Sequence, residues 1–536
     1  MQRTPLDVVH VAIYALCFVA VALLARRRPA FGIAALVAVV PFDFHADVGP
    51  TTITLSKVAL LAAFTGLVSR RTLGSAGALA SPGAPGALAA LGNPAARALL
   101  LAGAAVAVAT ALTILHAAFH GPAIRETLKA LDYLALFAIV VVAAREDPAE
   151  PPVRYAFAGS LVLVCVLALA QEFGGAPSGF WYRDHPIPRI AGPLEGPNQL
   201  AGYLGIALAV VAAYLLANAR APLERIAVAP LERIAVAPLE RIAIVPLERI
   251  AIALASATLV LTVSRAGVIG AIVALALIAA VTPGRPRIRK PMLRQAQHDN
   301  GETRHPESVP RHPEPAPRHP EPAPRHPEPV EGRAWKAWRT LVVLVACGAV
   351  AGVAVLAAWG FGATHSAAGV QLLDHFSTVA ETPHPGAVGT RSQLWHAAIV
   401  LWRSSPIFGI GAGNFEFELG RAGYPDLHTH ANSLYLQALA EGGVVLGAAT
   451  LALVATSIVR FARGPFTEPQ IVAALGASAG FAVHQLFDLL VFYPKVGELW
   501  WIVLALGAAR LDGSSRHAEL VEARDDARRD DATRLT

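Results

Sequence analysis

The sequence predicts an all-α polytopic membrane protein. It has about 12–13 transmembrane helices and a large extracytoplasmic loop that contains an amphipathic helix. Three observations predict this. Hydrophobic residues make up 55% of the 536 residues and charged residues 15%, where soluble domains carry about 25% charged residues; the mean hydropathy is +0.51. Apolar runs of roughly 18 to 25 residues recur, each long enough to cross the hydrocarbon core. One polar, Gly-rich stretch bearing His and Arg, 389–443, interrupts them. Irregular polar backbone persists in a membrane protein only where water or protein satisfies it.

The apolar runs follow in order as 8–25, 30–42, 52–69, 96–118, 126–144, 153–172, 198–217, 247–263, 266–282, 338–361, 433–461, 470–492 and 497–511. The first is read as a retained helix and not a signal peptide. One basic residue precedes it, no small-residue cleavage site follows, and Arg26–Arg28 close it. Arg26–Arg28, Arg70 with Arg71, Arg145 with Arg154, Arg285–Lys290, and Arg460 with Arg463 fall on alternate loops. All of these, with the tail beyond Arg510, are therefore expected on the cytoplasmic side. The outer loops are then 43–51, 119–125, 173–197, the 264–265 turn, 362–432 and 493–496. Five regions result: helices over 1–172, helices with outer loops over 173–282, a loop over 283–336, helices with the large outer loop over 337–511, and a tail over 512–536.

Two inner tracts are repetitive. Residues 221–252 hold four copies of an eight-residue unit of the type APLERIAV. A Pro in every copy removes a backbone donor, so the tract is expected to be a loop, with Pro246 opening the next helix. Residues 304–331 repeat RHPEPAP-like units, and such Pro-rich, mixed-charge sequence is expected to be extended or disordered. Cys17, Cys165 and Cys347 all lie inside apolar runs and suggest neither a disulfide framework nor a metal site.

Four segments on the outer face carry candidate chemistry. Arg189 to Gln199 ends one loop and opens a helix, and free N–H groups at Asn198 and Gln199 attract anions; a plain Pro/Asn helix start is the alternative. Ser264-Arg265 joins two apolar runs, and an Arg so near hydrocarbon is paired, functional, or snorkelling to the interface. Arg391, Trp395 and Trp402 share a helix face, which suggests an interfacial helix with its aromatic side on lipid. The Gly-rich turn 406–414 follows it. His428-Thr-His430-Ala-Asn432-Ser433 precedes a long apolar helix. A His there can move protons near neutral pH or serve structure alone. No Cys or acidic cluster completes a ligand set around the two His, so neither a metal nor a cofactor is expected.

Together GPLEGPNQLAGYL at 192–204, TVSRAG at 262–267, SPIFGIGAGNF after Arg391 and HTHANSLYLQALAEGG at 428–443 resemble the O-antigen ligase / O-antigen polymerase superfamily of bacterial envelope proteins. The resemblance covers roughly 180–500. It implies transfer of a glycan from undecaprenyl diphosphate, without a metal, on the periplasmic side of the inner membrane. Arg265 and Arg391 match the family's two outer-face arginines, and His430 its His, with His428 close behind because Ala431 separates His430 from Asn432. Asn198, Gln199, Arg189, His428 and Asn432 are the substrate-binding candidates, and the helices around 198–282 the groove for the polyprenyl tail. The implied partners are the undecaprenyl-diphosphate-linked glycan, a lipid A–core or growing-glycan acceptor, and the lipid bilayer, with no nucleic acid. Rival readings are a flippase for the lipid-linked glycan and a protein O-oligosaccharyltransferase.

Overall fold

The computed structural model describes residues 7–42, 44–48, 51–77, 94–148, 150–182, 185–218, 231–282, 330–363 and 390–511. In chain order these form α1 (Val8–Arg27), α2 (Pro29–Val39), β1 (His45–Val48), β2 (Thr51–Thr54), α3 (Leu55–Gly77), α4 (Pro94–Leu112), α5 (His120–Glu146) and α6 (Glu150–Phe173). Then come β3 (Trp181–Tyr182), β4 (His185–Pro188), α7 (Pro197–Asn218), α8 (Leu231–Leu261), α9 (Arg265–Val281) and α10 (Val330–Ala363). The chain closes with α11 (Arg391–Ser404), α12 (Phe415–Glu418), α13 (Leu434–Ala462), α14 (Pro469–His484) and α15 (Pro494–Leu511). The strands form only two antiparallel hairpins, β1 with β2 and β3 with β4. Among the described residues, seven helices are long and apolar enough to cross a membrane. Shorter apolar helices at Pro29–Phe42, Arg265–Val281 and Arg339–Val355 pack among them.

Among the described residues, the basic loops gather at one end of the bundle. Arg28 pairs with Asp147 at 3.1 Å, Arg71 with Glu146, Arg154 with Glu248 at 2.7 Å and Arg510 with Glu150 at 3.3 Å. These pairs tie the α1–α2, α3, α5–α6 and α15 ends and the start of the apolar part of α8 to one another. The opposite end collects the hairpins, the 113–120 connection, the α8–α9 turn and the 390–433 segment. Within the bundle α7 packs against α8, α9 and α14, and nearly all of its apolar window is buried.

Several boundaries differ from expectation. The tandem-repeat tract is not a loop throughout: α8 runs from 231 through Pro238 and Pro246. The Leu-Glu-Arg-Ile-Ala portion of each unit is strongly helix-forming, and the last copy is anchored by the ion pair from Arg154 to the buried Glu248. Helix α10 begins at Val330, inside the stretch expected to be disordered; 283–329, with its His-Pro repeats, and the 512–536 tail lie outside the described residues. The apolar run 470–492 is helical only to His484, and Gln485 to Tyr493 form a turn and a short 3₁₀ segment. Helix α13 breaks at Gly443, whose φ is 60°. The groove expected around 198–282 takes in 219–230, which lie outside the described residues; α7 itself buries nearly all of its apolar window.

Candidate active site

The 485–493 segment is the hub of the non-basic end. The α13 N-terminus sits against it, with the Leu434 N–H bonding the carbonyls of both Gln485 and Asp488 at 3.0 Å. Asp488 turns inward. Its Oδ1 accepts from the Leu489 N–H at 2.8 Å, and the charges of Arg391 and Arg189 and the amide of Asn198 act on the carboxylate. Burial nevertheless raises the Asp488 carboxyl above its ordinary range, and those neighbours pull it back.

Arg189 holds the opening of α7. Its Nη2 donates to Asn198 Oδ1 at 2.8 Å and its Nε to the Thr262 carbonyl at 2.9 Å, so one guanidinium ties the 189–199 segment to the α8–α9 turn. Arg265 is the first residue of α9, capped by Ser264, whose Oγ accepts from the Gly267 N–H. Gly267 packs against Ala201, Ser264 and His484, which places this turn beside the hub. Gln199 reaches the Tyr493 hydroxyl. Val263 and Asn432 are the non-glycine residues with positive φ among those described, at 51° and 49°. Both lie in candidate segments, and such conformations persist only where the surroundings impose them.

Arg391 begins α11 behind a capping box: Thr390 Oγ1 accepts from Gln393 N–H, and the Gln393 side chain returns to Thr390 N–H. Its charge acts on both His484 and Asp488. The two tryptophans of α11 differ in surroundings, and Trp402 Nε1 donates to the Pro406 carbonyl at 3.2 Å in an exposed position. Trp395 packs near Phe487, ring centroids 6.2 Å apart, and its Nε1 is buried. Leu394, Ala397, Ala398 and Leu401 bury against Ile410, Phe415, Leu419, Ala431 and Ala440. The buried face of the helix covers a small core of the 390–440 region.

The Gly-rich turn turns out to be a latch. The break at Gly443 frees the groups of one turn of α13. Ile410 and Gly411 N–H donate to the Ala440 and Glu441 carbonyls at 3.0 and 2.8 Å, and Val444 N–H to the Pro406 carbonyl at 2.9 Å. Gly409 and Gly443, both at positive φ, face each other so closely that a Cβ on either would strike opposing backbone. Buried Glu441 Oε1 accepts from Phe415 N–H at 3.1 Å and from Gln437 Nε2 at 2.7 Å. Gln437 Oε1 accepts from Ala431 N–H at 2.7 Å, which fixes the His segment. With its N–H groups so engaged, this turn is a fastening and not a phosphate cradle.

His428 is exposed, whereas His430 is half-buried and faces inward. The His430 ring lies 4.1 Å from the ring of Phe492 and 6.5 Å from that of Tyr493. Burial, then the Lys129 charge, push its pKa down to about 4, so its imidazole is neutral above about pH 5. It borders a cavity of about 140 Å³ between α4, α5, α13 and α15. Glu126, Lys129 and Glu416 sit at the His430 end, while Val106, Leu453 and Trp501 line the apolar remainder. Among the described residues no three His, Cys, Asp or Glu side chains converge to hold a metal ion.

Arg189, Asn198, Arg391 and the α8–α9 turn thus meet around Asp488 and His484, while Gln199 and His430 meet around Phe492 and Tyr493. Sequence reasoning missed the hub itself. Its signal was present: Gln485 and Asp488 are polar residues inside the apolar run 470–492, with Pro494 just beyond it. It also missed the anchoring role of α5, where Lys129 and Tyr133 bind the carbonyls of Phe492 and Val491.

Residues 331–451 match the O-antigen ligase (Wzy_C) family model. The match takes in Arg391, His428, His430 and Asn432, and leaves Arg189, Asn198, Gln199 and Arg265 outside it. No curated protein matches the chain. This is a multi-pass membrane protein carrying an O-antigen ligase domain.

Proposed function

We propose that the chain is a polyprenyl-diphosphate-dependent glycosyltransferase of the O-antigen ligase or polymerase type, acting on the periplasmic face of a bacterial inner membrane. The observation that carries this reading is the hub: Asp488 at one end of it lies under the Arg391 charge, and Phe492 at the other lies against His430.

The roles follow from residue chemistry. Arg391 and Arg265 bind the donor diphosphate and stabilise the charge that grows on it. Arg189, already engaged with Asn198 and Thr262, keeps Asn198 and the helix start in place. Neutral His430 takes the proton of the acceptor hydroxyl. The acceptor oxygen then bonds to the anomeric carbon, the sugar–phosphate bond breaks, and polyprenyl diphosphate leaves with the electron pair, inverting that carbon. Guanidinium charge serves where other transferases use a divalent ion. The cavity beside His430, polar at one end and apolar along the rest, suits an amphiphilic substrate.

The test is glycan transfer in proteoliposomes with donor and acceptor on one side. Arg265→Ala and Arg391→Ala should abolish it while the protein still inserts; normal glycan from both variants would sink the reading, and same-side transfer rules out an obligatory flippase. A gel of surface polysaccharide from a deletion strain separates the two reactions. Loss of long chains with core-linked single units kept means polymerase, and loss of all core-linked glycan means ligase.

A further inference from the structure

Lys129 stands at the edge of the site, outside the segments that carry the proposed chemistry. Lys129 lies on α5, far from the 331–451 match in sequence. Its Nζ donates to the Phe492 carbonyl at 3.0 Å, lies 4.3 Å from the centroid of the Phe492 ring, and pairs with Glu126 Oε2 at 2.8 Å. Its side chain is 15% exposed, so solvent screens it weakly. One turn further along the same face, Tyr133 donates to the Val491 carbonyl at 2.9 Å. The ring that Lys129 holds is the one against which His430 rests, at 4.1 Å.

We propose that Lys129 is a positioning residue for the transfer step: it pins Phe492 beneath His430 and places a fixed positive charge on that side of the imidazole. The inference rests on His430 being the proton acceptor. A base must be neutral to accept, and a nearby cation disfavours its protonated form. The groups that face His430 are Glu126, Lys129 and Tyr133 of α5, Glu416 of α12, Glu441 of α13 and Tyr493 ahead of α15. Of these only Lys129 is cationic. Its removal leaves carboxylates and phenols, so proton binding at His430 becomes easier.

The experiment compares wild type, Lys129→Met and Lys129→Arg in detergent. The His430 imidazole is followed by NMR from pH 4 to 8 in ¹⁵N-histidine-labelled protein, and the signal is assigned by its loss in His430→Gln. Lys129→Met should move the His430 midpoint up by about one pH unit, the scale of one nearby charge, and Lys129→Arg should restore it. Transfer assays should show the acid limb of kcat moving by the same amount. A Lys129→Met midpoint equal to that of wild type overturns the proposal, as does a Lys129→Arg midpoint that follows Lys129→Met. The titration needs no turnover. Full transfer by His430→Gln would therefore refute the base role assigned above, and the charge effect of Lys129 would still be read separately.

Discussion

At the basic end of the bundle, Arg28, Arg71, Arg154 and Arg510 each face a carboxylate from another helix. Buried side-chain atoms with no hydrogen-bond partner among the described residues occur at both ends: Gln470 Oε1 at this one, and Trp395 Nε1, His484 Nε2 and Gln485 Nε2 at the opposite one. Leaving such a group unsatisfied costs roughly 1–3 kcal/mol. One end therefore ties helices to one another through ion pairs, and the other gathers its polar groups around a single segment, Gln485 to Tyr493. That difference sets scaffold apart from candidate site.

The sharpest way to break this contrast is to unpair the scaffold. Arg154→Met strands Glu248, which is 1% exposed, and should cost on the order of 3–5 kcal/mol, read as a lower unfolding temperature in detergent and reduced yield. At the other end, Arg391→Ala should lower transfer by about 10²–10³-fold, roughly 3–4 kcal/mol, with the unfolding temperature little changed. If Arg391→Ala unfolds the protein as Arg154→Met does, the distinction between the ends collapses. Gly443→Ala must place a Cβ against the Ile407 carbonyl at positive φ and should destabilise by about 1–3 kcal/mol, seen as faster proteolysis within 390–445. The pH profile is a finer probe. A His pKa lowered to about 4 means proton binding is disfavoured in the fold, so base function is full at neutral pH and fades as pH falls toward 4. Transfer should stay nearly level between pH 7 and about 5.5; a loss centred near pH 6.5, the value of an ordinary His, contradicts that environment. The smallest effect belongs to Arg28→Ala, whose guanidinium is half exposed and whose loss should cost at most about 1 kcal/mol.

Much of this was legible along the chain. Every apolar run contains a helix, because hydropathy over a window is a local quantity. The segregation of the described basic loops to one end follows from their alternation. Arg391 at a helix start and the interrupting loop were readable too. The hub was not, since by hydropathy Asp488 and Gln485 are two exceptions in an apolar run. What stops the α14 helix at His484 is that its next residues cap α13 and meet Arg391, partners about 50 to 100 residues away. The break at Gly443 was hidden likewise: a Gly pair inside an apolar helix signals a kink only when the 406–411 turn is there to accept the freed groups. The repeat tract erred in the other direction, because its prolines argue locally against a helix that the rest of the unit and the Arg154 pair favour.

The sequence alone determined the solvent of this protein, its helices, and the residue types available at one end: two outer arginines, two histidines and an Asn-Gln helix start. These are properties of composition and periodicity, which need no partner. The tertiary structure decided which residues work together. It turned His430 inward and His428 outward, spent Arg189 on Asn198, made a latch of the Gly-rich turn and brought Lys129 beside Phe492. Each of those outcomes depends on contacts between residues distant in the chain, whose energies exist only once the helices have packed.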